Sequence, residues 1–185
     1  VAQPLRVAVL GVFLIGALGL AGLSGTPKRD RGDVDAFYSP PADVPTEPDQ
    51  LVRHERTEHD VPEGATGWRI LYTTTRDEGQ PALASALVVV PDSAGPHPVV
   101  AWAHGTTGVR PRCAPTVMPS GLAAGAFFLT DDVIRAGWAL VATDYVGLGT
   151  EGPHPYLIGQ GEGRSVLDAV RAARQLDDAR LSDRT

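Results

Sequence analysis

The chain has 185 residues, of which 43% are hydrophobic, 21% charged and 6% aromatic. This is the composition of a globular protein, because a disordered chain carries too few apolar residues to form a core. The 16 basic and 22 acidic side chains give a net charge of −6, and no basic patch builds up along the sequence. The charge pattern therefore argues against a nucleic-acid partner.

The first predicted element is an apolar segment near the N-terminus. Residues 7–23 contain no charged side chain, and Arg6 precedes them. A membrane-spanning helix needs about 20 such residues and the core of a signal peptide about 7–15, so this segment lies between the two. We predict that residues 1–27 are a signal peptide or a membrane anchor, and the sequence leaves cleavage and retention open. Either form makes the protein secreted or associated with the cell envelope, with membrane association through residues 7–23 where the segment is retained.

Residues 28–63 are predicted to form a charged, proline-rich arm or linker. Prolines occupy positions 40, 41, 45 and 48, and proline disfavours helix at the residue before it. The run 54–59 in this segment contains two histidines and two glutamates. Its spacing matches no zinc pattern, so it favours a solvated polar strand or turn, and no metal site is predicted.

From residue 64 to residue 185 the pattern predicts a compact α/β domain. Residues 68–75 are rich in β-branched and aromatic side chains, and residues 83–91 form a second apolar run that ends in proline. A turn at 77–80 separates them, which predicts an antiparallel hairpin.

Two buried strands and two helices are predicted after the hairpin: strands at 99–103 and 138–143, and helices at 129–136 and 162–176. Strands that alternate with helices predict a mostly parallel sheet covered on both sides. In the second helix the helical spacing puts Leu167 on the apolar face and Asp168 on the polar face.

The loop 104–108 (HGTTG) directly follows the strand predicted at 99–103. Glycines around two small residues let the backbone bend so that successive N–H groups point into one concavity. Acyl transfer needs such a cradle, because the tetrahedral intermediate carries negative charge on the former carbonyl oxygen. The alternative is an ordinary glycine-rich turn between a strand and a helix.

Residues 142–149 (ATDYVGLG) leave the carboxyl end of the next strand, at the edge where open α/β sheets bind ligands. Asp144 and Tyr145 are the candidate substrate-binding residues here. The alternative for Asp144 is a purely structural role in the following turn. Residues 149–163 then form a glycine-rich loop that is predicted to line the pocket and to start the next helix.

Four motifs together carry a family resemblance: HGTTG at 104–108, ATDYVGLG at 142–149, GPHPYL at 152–157 and EGRSVLDAVRAAR at 162–174. In this order and spacing they resemble the secretory lipase family of α/β-hydrolases. The segments FYSPP at 37–41 and YTT at 72–74 also look like the leader region of that family.

The resemblance implies a serine hydrolase that uses a Ser–His–Asp triad on acylglycerols and related small acyl esters, without a cofactor. It implies that the backbone N–H of Thr106 is the first oxyanion donor. The rest of the loop supports that donor: His104, Gly105, Thr107 and Gly108.

The sequence departs from the family pattern at the nucleophile. None of its serines has glycine at both the −2 and +2 positions of a G-x-S-x-G elbow, and Ser165 falls inside a predicted helix. We therefore expect a truncated α/β-hydrolase fold that lacks the triad, is inactive alone and leaves one edge of strand 99–103 unpaired. The alternatives are a non-catalytic, membrane-anchored α/β remnant or interaction module, and an acyltransferase of the same family.

Overall fold

The computed structural model describes residues 34–121 and 129–183 of the chain. The predicted signal peptide or anchor at 1–27, with its apolar segment 7–23, lies outside these described residues. Within them, no helix combines the length and the apolar character needed to cross a membrane.

A five-stranded sheet in the order β1-β2-β3-β5-β4 organises the domain. Its strands are β1 Leu51–Thr57, β2 Ala65–Thr75, β3 Pro81–Pro91, β4 Val99–Trp102 and β5 Ala139–Thr143. The α-helices of the described residues are α1 Thr130–Arg135 and α2 Gly159–Ala173. Short 3-10 turns occur at Ala36–Tyr38, Pro111–Cys113 and Asp177–Ala179.

Strand directions confirm the hairpin and correct the predicted sheet. β2 and β3 pair antiparallel along their whole length, from Ala65 opposite Pro91 to Thr75 opposite Pro81. The prediction of a mostly parallel sheet is wrong for the described strands, because only β4 and β5 run parallel. The connections within β1-β2-β3 are too short for a crossover, whereas the connection from β4 to β5 is long and contains α1.

The segment predicted as an arm or linker belongs to the folded domain over its described part. It contains β1, in which residues 54–56 are exposed, so the polar run does form a solvated strand. Phe37 and Tyr38 are buried upstream of it. The Arg69 guanidinium lies 4.3 Å from the Phe37 ring centroid and 2.8 Å from the Asp35 carboxylate. These contacts fix the proline-rich segment to β2.

Each face of the sheet is covered by a different helix. α2 packs on the face formed by alternate residues of the central strands, including Ala86 and Val88 of β3. Ile134 of α1 packs on the other face, with Leu87 and Val89 of the same strand. Alternate residues of β3 thus serve opposite faces, as the two-residue period of a strand requires.

The predicted faces of the second helix are wrong at two adjacent positions. Leu167 is 54% exposed, whereas Asp168 is buried. Asp168 is buried because its carboxylate has partners: the Thr74 hydroxyl donates to it at 2.8 Å, and Arg171 forms an ion pair with it at 2.8 Å. Helical spacing alone does not reveal a hydroxyl that the neighbouring strand provides.

β4 has a neighbouring strand on one side only, within the part of the chain that the structure describes. On the other side of β4, residues 180–182 pair with His97, which lies two residues before the strand begins. The His97 N–H donates to the Arg180 carbonyl at 2.9 Å, and the Ser182 N–H donates to the His97 carbonyl at 2.8 Å. Leu181 thereby pairs with His97 in the parallel direction.

This open edge predicts a pattern of amide exchange along β4. In a parallel pair, alternate residues of a strand bond to a given neighbour. The Ala139 N–H donates to the Pro98 carbonyl. The backbone N–H of Val100 therefore points towards β5, and that of Ala101 points towards the open side. We expect the Ala101 amide to exchange about tenfold or more faster than the Val100 amide in hydrogen-exchange NMR of the whole chain. Equal protection would show that another strand occupies the edge.

Candidate active site

The carboxyl ends of the two parallel strands meet at one edge of the sheet, where open α/β sheets bind ligands. The 104–108 loop leaves β4 at this edge, and residues 144–149 leave β5 beside it. Between them lies a cavity of about 160 Å³. The described residues that line it are His104, Gly105, Thr106, Thr107, Gly108, Tyr145, Leu148, His154, Tyr156, Leu157 and Glu162.

The 104–108 loop lines this cavity and carries unused backbone donors. The N–H groups of residues 105–108 donate to no acceptor among the described residues. One hydrogen bond fixes the loop to the following 3-10 turn: the Thr107 hydroxyl donates to the Cys113 carbonyl at 2.8 Å. Gly108 has φ +140°, and a Cβ there would collide with the Cys113 side chain, so glycine is required. The Thr106 hydroxyl lies 3.1 Å from the Tyr156 hydroxyl at the cavity rim.

His104 is buried at the start of this loop and connects it to the next strand end. Its ring Nδ1 lies 2.6 Å from the Gly105 carbonyl oxygen, and its Nε2 lies 3.4 Å from the Asp144 carbonyl oxygen. The Tyr145 hydroxyl donates to the His104 carbonyl at 3.1 Å. The two loops of the cavity are therefore joined by side-chain contacts to backbone oxygens.

Asp144 is fully buried behind the cavity. Its carboxylate accepts hydrogen bonds from the Ser85 hydroxyl at 2.6 Å, from the Thr116 N–H at 2.9 Å and from the Thr116 hydroxyl. The Tyr38 hydroxyl in turn donates to the Thr116 hydroxyl oxygen at 2.8 Å. Burial raises the pKa of Asp144, and the hydrogen bonds from Ser85 and Thr116 oppose that rise.

These contacts distinguish the two candidate substrate-binding residues. The Asp144 side chain joins β3 to the segment around Thr116 and is absent from the described cavity lining. That geometry gives the Asp144 side chain a structural role, although its partners lie in β3 and around Thr116 rather than in the following turn. Tyr145 does line the cavity, where it could contact a substrate. Substrate contact by Tyr145 stays a prediction.

Tyr145 has an unusual backbone conformation, with φ +68° in the left-handed region. Its N–H donates to the Thr143 hydroxyl at 3.0 Å, which supports this conformation. Burial, together with the negative charge of Glu162, raises the pKa of Tyr145 to about 12. Its hydroxyl therefore remains a neutral hydrogen-bond donor at ordinary pH.

The glycine-rich loop lines the opposite wall, as predicted, through His154, Tyr156 and Leu157. Individual roles in that wall were not predicted, although the GPHPYL motif marks the segment. His154 Nδ1 lies 3.0 Å from the Val146 carbonyl oxygen, which ties the loop to the residues after β5. Among the described residues, no cluster of His, Cys, Asp or Glu has the arrangement of a metal site.

The chain is similar to known lipases and esterases in sequence and in fold. Residues 116–184 match the secretory lipase family model. The match confirms the resemblance and includes the motifs at 142–149 and 162–174, while the 104–108 loop precedes it. No curated protein sequence matches the chain significantly.

Two enzymes of known structure, one esterase and one lipase, share the fold of this chain. The rice cell wall degrading esterase LipA from Xanthomonas oryzae is 26% identical, with a TM-score of 0.58 over 72% of this chain and 40% of that chain. Lipase A from Candida antarctica in its closed state is 20% identical, with a TM-score of 0.65 over 78% of this chain and 36% of that chain. The chain thus spans about 40% or less of either protein, and the second likeness shows the fold alone.

Removal of the Asp144 carboxylate is predicted to destabilise the fold. Asp144→Ala leaves the Ser85 hydroxyl and the Thr116 N–H without an acceptor, and each such buried donor costs about 1–3 kcal/mol. We expect the free energy of unfolding in urea to fall by about 2–5 kcal/mol. Asp144→Asn keeps an acceptor oxygen and should lose less, and exposed Asp43→Ala is the matched control. An equal effect of alanine and asparagine would contradict this role.

The raised pKa of Asp144 also sets the sign of a pH effect. An unfolded aspartate loses its proton near pH ~3.9, whereas folded Asp144 loses it at higher pH. The stability that this group contributes is therefore complete below about pH 3.9 and is lost as the pH rises through the folded pKa. Asp144→Asn carries no such proton. Its free energy of unfolding relative to the parent should therefore increase as the pH rises from about 3.9 through the folded pKa of Asp144. Parallel pH–stability curves of the two proteins would refute this assignment.

Proposed function

We propose that this chain contributes the oxyanion side of a carboxylic-ester hydrolase site. The observation that carries the proposal is that residues 105–108 line a cavity at the carboxyl end of β4, while their N–H groups have no acceptor among the described residues. The match to the secretory lipase family and the esterase fold of LipA support the same reaction class. Acylglycerols and related small acyl esters are the proposed substrates, and the chain's own residues call for no cofactor.

The geometry supports stabilisation of negative charge. Attack on an ester carbonyl converts its oxygen into an oxyanion, and donors already in place stabilise it without reorganisation. We assign the first of these donors to the Thr106 N–H, at the centre of the 104–108 loop. In α/β-hydrolases the second donor follows the nucleophilic serine. Loss of one such donor costs about 10²–10³ in rate.

The nucleophile itself has no candidate in the 185 residues. No serine lies in a G-x-S-x-G elbow. Ser85 is buried in β3, where its hydroxyl donates to Asp144 at 2.6 Å. Ser165 is buried in α2, where its hydroxyl donates to the Gly161 carbonyl at 3.0 Å. We therefore propose that the chain lacks the Ser–His–Asp triad, and this feature also favours the second candidate, a non-catalytic interaction module.

The location of the protein belongs to the same proposal. The apolar segment 7–23 is intermediate in length between the core of a signal peptide and a membrane-spanning helix, and a positively charged residue precedes it. The matching family is one of secretory lipases. Both support a secreted or envelope-associated protein, with residues 1–27 as signal peptide or anchor.

We expect the purified 185-residue chain to hydrolyse p-nitrophenyl butyrate no faster than buffer. The residual rate of a serine hydrolase without its triad comes from a complete oxyanion hole and from substrate binding, and this chain has a candidate for only the first of the two oxyanion donors. The assay is run with and without a serine-directed phosphonate. Turnover that the phosphonate abolishes would show that one of these serines is a nucleophile.

The oxyanion assignment is tested by binding, because an inactive chain leaves an ester intact. In a methyl butyrate titration followed by NMR, we expect the largest amide shifts at residues 105–108. Thr106→Pro removes the proposed donor and should weaken binding, whereas Thr106→Ala keeps the N–H and is the matched control. Shifts confined to residues outside the cavity, or equal binding by both variants, would overturn the proposal.

A further inference from the structure

Aromatic and imidazole rings form a continuous row along the cavity. The row runs His104, Tyr145, His154, Tyr156, and all four side chains line the cavity. Successive ring centroids are 4.5, 6.0 and 6.1 Å apart. A cation within ~6 Å of a tyrosine centroid is attracted by the electron-rich ring. A group inside this cavity therefore lies near more than one ring.

The charge of the cavity favours the same kind of ligand. Glu162 is the single carboxylate among the described lining residues, which include no lysine or arginine. The Leu157 N–H donates to Glu162 Oε1 at 3.1 Å, so the carboxylate is held at the cavity wall. After burial, its negative charge is the second cause of the raised pKa of Tyr145, which belongs to the same row of rings.

The size of the cavity limits what this arrangement holds. Its volume is about 160 Å³, close to the ~150 Å³ of a cavity that takes up one benzene molecule. A trimethylammonium group is of similar size and keeps a diffuse positive charge that suits π-systems. A phosphodiester next to the cation is disfavoured, because no lysine or arginine among the described lining residues would offset its charge beside Glu162.

We propose that the cavity binds the quaternary ammonium group of a carboxylic ester of an amino alcohol, such as a choline ester. The ammonium lies beside Glu162 and the two tyrosines, and the ester carbonyl faces the N–H groups of residues 105–108. The carbonyl half of this inference rests on the proposed function. The cation half rests on the ring row and Glu162.

The test compares choline with its neutral isostere, 3,3-dimethyl-1-butanol, in NMR titrations of the whole chain. We expect choline to bind about tenfold more tightly, with the largest shifts at Tyr145, Tyr156 and Glu162. Equal affinities would overturn the inference. Phosphocholine should bind more weakly than choline, and equal or tighter binding would overturn the assignment to a carboxylic ester.

Variants locate the cation. Glu162→Gln keeps an acceptor for the Leu157 N–H and should weaken choline binding about tenfold without affecting the neutral isostere. Exposed Glu63→Gln is the matched control and should bind like the parent. Tyr156 is 42% exposed, so Tyr156→Leu is a second variant that should fold and should also weaken choline binding. Unchanged choline affinity in both cavity variants would overturn the inference.

The methyl butyrate titration separates this inference from the proposed function. Shifts at residues 105–108 with methyl butyrate, but none with choline, would refute the cation site and leave the ester site in place. Choline binding that depends on Glu162, without any methyl butyrate shifts, would support the cation site and refute the oxyanion proposal.

Discussion

The buried carboxylate of Asp144 is the interaction on which the candidate site depends. It lies one residue beyond β5 and collects donors from β3 and from the segment around Thr116, which in turn holds Tyr38. Its own backbone carbonyl faces the His104 ring at the base of the neighbouring loop. A charged group removed from water is stable only when such donors surround it. The elements around the cavity must therefore keep their relative positions for the carboxylate to keep these hydrogen bonds.

Much of this arrangement could be predicted from local sequence. The apolar runs of β2 to β5 have the length and composition of strands, and the glycine-rich loops after β4 and β5 identify the ligand-binding edge. The carboxyl ends of parallel neighbours meet at one edge of a sheet, so the loops that follow β4 and β5 lie on the same side of the domain. The structure places both on the same cavity.

The remaining features depend on partners that are distant in sequence. Asp168 is buried because Thr74 donates to it from a strand 94 residues away, and no helical period contains that information. β1 belongs to the sheet because it pairs with the edge of β2, although its exposed polar residues favour the prediction of a linker. The sheet is mainly antiparallel because strand direction depends on connection length as well as on the alternation of strands with helices.

The left-handed conformation of Tyr145 has a consequence for how this protein can change. A non-glycine residue in that region costs about 1–3 kcal/mol, which is a sizeable part of a typical folding free energy. Glycine would remove the cost, but it would also remove the hydroxyl that holds His104 and the ring that lines the cavity. Selection for thermal tolerance and selection for a shaped ligand site therefore act on this one position in opposite directions. Retention of tyrosine by close relatives that live at high temperature would mean that recognition outweighs stability there.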